Sequence, residues 1–139
     1  MVRAAFRCYR SQDRDAAIGL YADDCSFTRA QDGHIDKAEF FARCFPTARR
    51  TSWQRLLHVT PADEELVVVL YEYQRTTGER YRDMEAIRVR DGLIREVQVF
   101  FGGAVRGGRR RSLTVSRVIR PPSGGRAWRG APGRPAARC

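Results

Sequence analysis

Residues Tyr81 to Phe101 read YRDMEAIRVRDGLIREVQVFF, two alternating apolar runs on either side of Asp91-Gly92. Asp-Gly supplies the positive φ angles that a two-residue hairpin turn requires, and β-branched residues flank it, so the stretch predicts a β-hairpin. Side chains alternate along a strand. Glu85, Ile87 and Val89 therefore share one face of the first strand, and Val97, Val99 and Phe101 share one face of the second. A carboxylate on an apolar face marks a candidate site.

Upstream of the hairpin, Leu66 to Gln74 (LVVVLYEYQ) is apolar on both faces over its first half, as a central strand would be, and Trp53 to Thr60 precedes it as another strand. Val2, Ala5, Phe6 and Tyr9 recur at helical spacing, which predicts a helix from Val2 to about Arg10. Asp13 or Asp15 can cap a second short helix through Leu20 and Tyr21. Cys25 to Thr28 is then a short strand and Arg29 to His34 a polar loop. Asp36 with Glu39 forms a capping-box signature for a third helix, which Pro46 should stop before a basic loop from Thr47 to Ser52. Helices followed by consecutive strands predict an α+β domain: a curved antiparallel sheet, covered on one face by three N-terminal helices, in a cone-shaped half-open barrel.

The chain has 139 residues and a formal net charge of +10. That charge is unevenly placed. Residues 1–103 carry 16 basic and 16 acidic residues, whereas the segment 104–139 holds ten arginines and no acid. Ordering that segment would cost about 1–2 kcal/mol per residue, more than its few large apolar side chains can return, so disorder is expected there. The domain is thus 1–103, followed by an Arg/Gly/Pro-rich tail. Three readings of the tail stand: an arm binding nucleic acid by counterion release, a solvated extension without a partner, and a product of out-of-frame translation. The last two are preferred, so nucleic acid is not the expected partner.

Cys8, Cys25, Cys44 and Cys139 form no C-x-x-C pair, and the two histidines are far apart, so neither a metal site nor a cofactor is expected. No phosphate loop, nucleophile elbow or dinucleotide fingerprint is present. Nothing reads as a signal peptide or membrane span, which places the protein in the cytoplasm.

The strings AFRCYRSQDRDAAIGLYADD (Ala5 to Asp24), IDKAEFFARCFP (Ile35 to Pro46), VLYE (Val69 to Glu72) and RVRDGLIREVQVFFG (Arg88 to Gly102) resemble, in order and spacing, the SnoaL-like branch of the nuclear transport factor 2-like superfamily. That resemblance implies a cone-shaped α+β domain. It also implies a range of activities, since the family hosts isomerases, cyclases, dehydratases and epoxide hydrolases beside members that only bind or dimerise. The ketosteroid isomerase pattern of a Tyr, an Asp base and a second Asp aligns with Ala5, Arg29 and Glu85, so steroid isomerisation is not expected.

The leading expectation is an apolar pocket for a small apolar or amphipathic molecule, lined by Tyr9, Val69, Tyr71, Glu85, Ile87, Val89, Val97, Val99 and Phe101. Glu85 is the first catalytic candidate, because desolvation would raise its pKa. Its alternative is a structural ion pair with Arg82 or Arg95. His34 with Asp36 is a second candidate, weighed against an exposed histidine beside an N-cap. His58 is expected in the core or on the sheet surface. Glu72 is expected in solvent if Tyr71 and Tyr73 point inward. The competing reading is a non-enzymatic domain that forms a homodimer through the outer sheet face at Met84, Ala86, Gln98 and Phe100.

Overall fold

The computed structural model of the protein describes residues 1–30 and 32–105. Ala104, expected to begin the tail, instead ends the last strand, paired with Tyr81, and the Val105 N–H donates to the Arg80 carbonyl; the expectations for the rest of the Arg-rich tail and for Cys139 lie outside the described residues. Helices α1 (Val2–Ser11) and α2 (Arg14–Ile18) lead into β1 (Tyr21–Arg29) and β2 (Asp32–Asp36). A short α3 (Lys37–Glu39) continues through a π turn, Phe40–Cys44, and a 3-10 turn, Phe45–Arg50. Strands β3 (Thr51–Pro61), β4 (Leu66–Arg75), β5 (Arg80–Arg90) and β6 (Leu93–Ala104) complete one six-stranded sheet in the order β2-β1-β6-β5-β4-β3. The sheet is curved and unclosed, with the helices on its concave side, and its pairings are antiparallel except where β1 runs parallel to β6.

The β5–β6 hairpin forms as its sequence dictates. Arg90 pairs with Leu93, and the two turn residues Asp91 (φ 52°) and Gly92 (φ 73°) both lie in the left-handed region. One irregularity resets the second strand. The register shifts between Arg88 and Val89, because β6 carries Arg95 as an extra residue, so Ile94 and Val97 both reach the core three positions apart. A second shift lies between Tyr81 and Asp83, opposite Gly102. A Cβ on Gly102 would sit 2.1 Å from the Arg82 carbonyl oxygen, so only glycine lets the two backbones meet there.

Several expectations need correction. The polar loop expected from Arg29 to His34 is largely strand: β2 pairs with β1 through Phe27 and Ile35, both buried. Gly33 within it concealed a strand only five residues long. Leu20 and Tyr21 are not helical, since α2 ends at Ile18 and Tyr21 begins β1. Pro46 does not stop the third helical segment. Proline lacks the N–H of an ordinary helical bond, and the chain adapts by widening ahead of it, with the Phe45 N–H reaching back to the Phe40 carbonyl. The expected basic loop from Thr47 is thereby 3-10 through Arg50, and Phe40, Phe41, Phe45 and Ala48 all turn inward.

Helix α1 lays Val2, Ala5, Phe6 and Tyr9 on the sheet and on the third helical segment. Phe6 meets the edge of Tyr71, and Tyr9 meets Phe45. Around Phe40, the rings of Tyr21, Phe27, Phe41 and Phe45 make one aromatic cluster that closes the deep end of the domain. Among the described residues no helix is long and apolar enough to cross a membrane.

Candidate functional site

Period-two alternation sends Val69, Tyr71, Tyr73 and Arg75 of β4, and Tyr81, Asp83, Glu85 and Ile87 of β5, to the same concave face. Where that face is not filled by the helices, a half-open cavity of about 890 Å³ remains. Of the residues expected in the pocket, Tyr9, Tyr71, Glu85, Val97, Val99 and Phe101 line it. Val69 and Ile87 lie beneath it in the packed core, with Val89 packed against that core. Phe101 is at the mouth, 45% exposed.

Glu85 is enclosed by protein, and what surface it keeps opens into the cavity. It makes no pair with Arg82 or Arg95. Arg82 turns to Glu72, and Arg95 turns to Asp24 and Asp91. Its polar partner is the Tyr71 hydroxyl, which donates to Oε1 at 2.9 Å. Burial pushes the Glu85 pKa up to about 7. The Tyr71 hydrogen bond pulls the other way, and the charge of Asp83 adds to the rise. A carboxyl so placed exchanges its proton near neutral pH.

Asp83, 3% exposed, is a pocket residue that the sequence reading missed. Its position two residues before Glu85 was the available signal. It accepts from the Gly102 N–H at 3.1 Å and lies beside the Tyr73 hydroxyl, which lowers its pKa, yet burial still raises it overall. Tyr73 is pushed up to about 12, chiefly by burial and by Asp83. The β4–β5 wall therefore presents two tyrosine–carboxyl pairs side by side. Across the cavity, the Thr47 hydroxyl donates to the Cys44 carbonyl at 2.6 Å, so the 2.8 Å contact between Tyr9 and Thr47 is a bond from the tyrosine to Thr47 Oγ1. Tyr9 thus turns an acceptor oxygen to the site. Gln54 Oε1, on the cavity wall, is buried without a hydrogen-bond partner.

The remaining candidates lie elsewhere. His34 is an exposed residue of β2 on the outer face, its Nδ1 3.1 Å from the Thr28 hydroxyl, in a shallow cleft among Asp24, Arg88 and Glu96. Asp36 caps α3 by accepting from the Glu39 N–H at 2.8 Å. Neither lines the cavity. His58 is exposed on β3. Glu72 does face outward, but it is not in solvent: its side chain is 2% exposed, covered by the guanidinium groups of Arg80 and Arg82, which hold its pKa down. These arginines, rather than the core, seal it. Cys8, Cys25 and Cys44 are free thiols, and no group of three His, Cys, Asp or Glu side chains is gathered for a metal among the described residues.

Helices laid on the concave face of a curved sheet, around a half-open cavity lined by both apolar and polar side chains, define a small α+β cone. The SnoaL-like domain family matches residues 2–97, and the chain belongs to that family. Solved structures agree in fold. An NTF-2 like protein of unknown function from Burkholderia xenovorans LB400 is similar at 16% identity and TM-score 0.64, over 84% of this chain and 91% of that one. A candidate ketosteroid isomerase from Kribbella flavida DSM 17836 is similar at 20% identity and TM-score 0.60, over 84% and 86%. A computationally designed 17-OHP binder is similar at 16% identity and TM-score 0.60, over 71% and 86%. No curated protein matches the chain in sequence.

Proposed function

We propose that this SnoaL-like domain binds a small organic molecule in the cavity between sheet and helices and transfers a proton to or from it through Glu85. The observation that supports this reading is a carboxyl enclosed in the cavity wall and bonded to the Tyr71 hydroxyl, where burial pushes its pKa up to about 7. An acid–base group works best when its pKa lies near the working pH. Protonated, Glu85 can give a hydrogen bond to an oxygen gaining charge; ionised, it can take a proton beside a carbonyl. Isomerisation, cyclisation, dehydration and epoxide opening all need such a step. Ala5 and Arg29 line the cavity where a ketosteroid isomerase would hold its Tyr and its Asp base, so a steroid isomerase is not the reading. The free thiols fit a cytoplasmic setting.

A thermal-shift screen of apolar and amphipathic ligands tests the proposal. Ligands that stabilise the wild type should lose their effect in Val99→Trp, which fills the cavity, and should change it in Glu85→Gln. Unaltered responses in both variants would remove the pocket assignment.

A second reading rests on the opposite face of the sheet. Met84 and Phe100 are cross-strand partners, 38% and 47% exposed, beside the pair Ala86 and Gln98. Such an apolar pair fits a homodimer interface. Sedimentation at micromolar concentration decides it: a dimer that Phe100→Glu dissociates supports the interface, and a monomeric wild type removes it.

A further inference from the structure

The concave face changes character along its length. Towards the aromatic cluster it is apolar; past Tyr73 the same alternation that places Tyr71 in the wall brings Arg75 onto the pocket face. Its guanidinium lies 4.9 Å from the Tyr81 ring centroid, a cation–π placement that orients it at the opening. Thr51 pairs with Arg75 across β3 and β4, and the Thr76 N–H donates to the Arg50 carbonyl, so Arg50 stands beside Arg75 on the same rim. The outer face of β5 and β6 differs. There Arg80, Arg82, Arg88, Arg90 and Arg95 are each matched to a carboxylate. Among the described residues Arg50 and Arg75 make no salt bridge; Asp83, deeper in the wall, feels Arg75 only through space.

We infer that the ligand of this pocket is an amphipathic anion, with an apolar ring body in the cavity, a carbonyl or hydroxyl at Glu85 and a carboxylate or sulfonate at Arg50 and Arg75. The inference rests on the pocket reading above and specifies its ligand. The dimensions agree with it. Tyr71, whose hydroxyl reaches Glu85, is four residues from Arg75, about 13 Å of strand. A molecule of two or three rings spans that distance, and the cavity of about 890 Å³ holds one. Asp83 and Glu85 lie away from the Arg50 and Arg75 rim, so a reversed pose sets the anion against two carboxyls, although Arg29, in register with Val99 and hence across β6 from Glu85, also lines the cavity.

Two fluorescent probes that differ only in charge test this: 1-anilinonaphthalene-8-sulfonate and the neutral N-phenyl-1-naphthylamine. They are titrated into the full chain, so the arginines after Ala104 are present in every arm. In low salt the sulfonate should bind about tenfold more tightly than the neutral probe, as one charge-assisted contact at the rim would give. In Arg50→Gln/Arg75→Gln the two affinities should come within about twofold, with the neutral probe unchanged. Val99→Trp, or Val99→Phe if the tryptophan variant does not fold, should weaken both. Equal affinities in the wild type, or a preference that survives removal of both arginines, would overturn the inference while leaving the pocket intact. No binding of either probe, or binding that the Val99 variants do not touch, would instead refute the pocket reading and the inference with it.

Discussion

Replacing Glu85 by Gln keeps the side chain's shape and its acceptor for the Tyr71 hydroxyl, and removes only its titration. The wild-type carboxyl moves from 4.5 to about 7 on folding. Each unit is worth about 1.36 kcal/mol, so ionising Glu85 in place costs the fold about 3 kcal/mol. The sign follows from proton binding. Between pH 4.5 and about 7 the folded chain holds this proton and the unfolded chain does not, so stability falls as pH rises. The contribution is complete below the unfolded value and gone once pH has passed through the folded one. Urea denaturation of wild type and Glu85→Gln at intervals from pH 4.5 to 8.5 isolates it, because the other titrating groups are common to both chains. Relative to the variant, the wild type should lose about 3 kcal/mol across that range, with the steepest loss near pH 6, midway between the unfolded and folded values. A difference that stays constant within about 0.5 kcal/mol would mean that Glu85 reaches water in both states, and would refute the enclosed carboxyl.

Other outcomes follow from the same wall and its supports. Tyr71→Phe deletes the donor that favours the ionised form, so the Glu85 midpoint should rise in an NMR titration of the carboxyl carbon. Gly102→Ala forces a Cβ onto the Arg82 carbonyl and should destabilise by about 3 kcal/mol in urea, while the same change at Gly33, which has open space, should have little effect. Glu72→Gln should cost about 1 kcal/mol, a modest sum because both arginines are nearly half exposed. Since the Glu72 pKa is depressed, its wild-type advantage is present above the unfolded value and should disappear as pH falls through the folded one. Gln54→Met removes a buried acceptor that lacks a partner, and its thermal midpoint should equal or exceed that of the wild type.

Local chemistry decides which parts of this protein are legible in its sequence. The hairpin was readable because Asp91-Gly92 fixes the turn and period two fixes the faces; Glu85 and Val99 then meet across β5 and β6 as alternation requires. Where geometry depends on a distant partner, the sequence is silent. Strand β2 contains Gly33 and few apolar residues, and exists because β1 supplies a ladder for it. The passage through Pro46 follows from a π turn that no propensity announces. Glu72 reads as solvent-facing by alternation, and it does face outward, but alternation cannot foresee the two arginines of β5 that close over it. Asp83 is the opposite case: its face was fixed by Glu85, and its burial by Tyr73 and the bulge at Gly102.

On the proposed reading, the cavity over Glu85, and not the outer face of the sheet, receives a small molecule. Methyl-resolved NMR during titration with N-phenyl-1-naphthylamine reads this directly. Saturable shifts at Ala5, Ile35, Val97 and Val99, which line the cavity, are the predicted result. Shifts confined to Met84 and Ala86 on the outer face, or none at all, would contradict it.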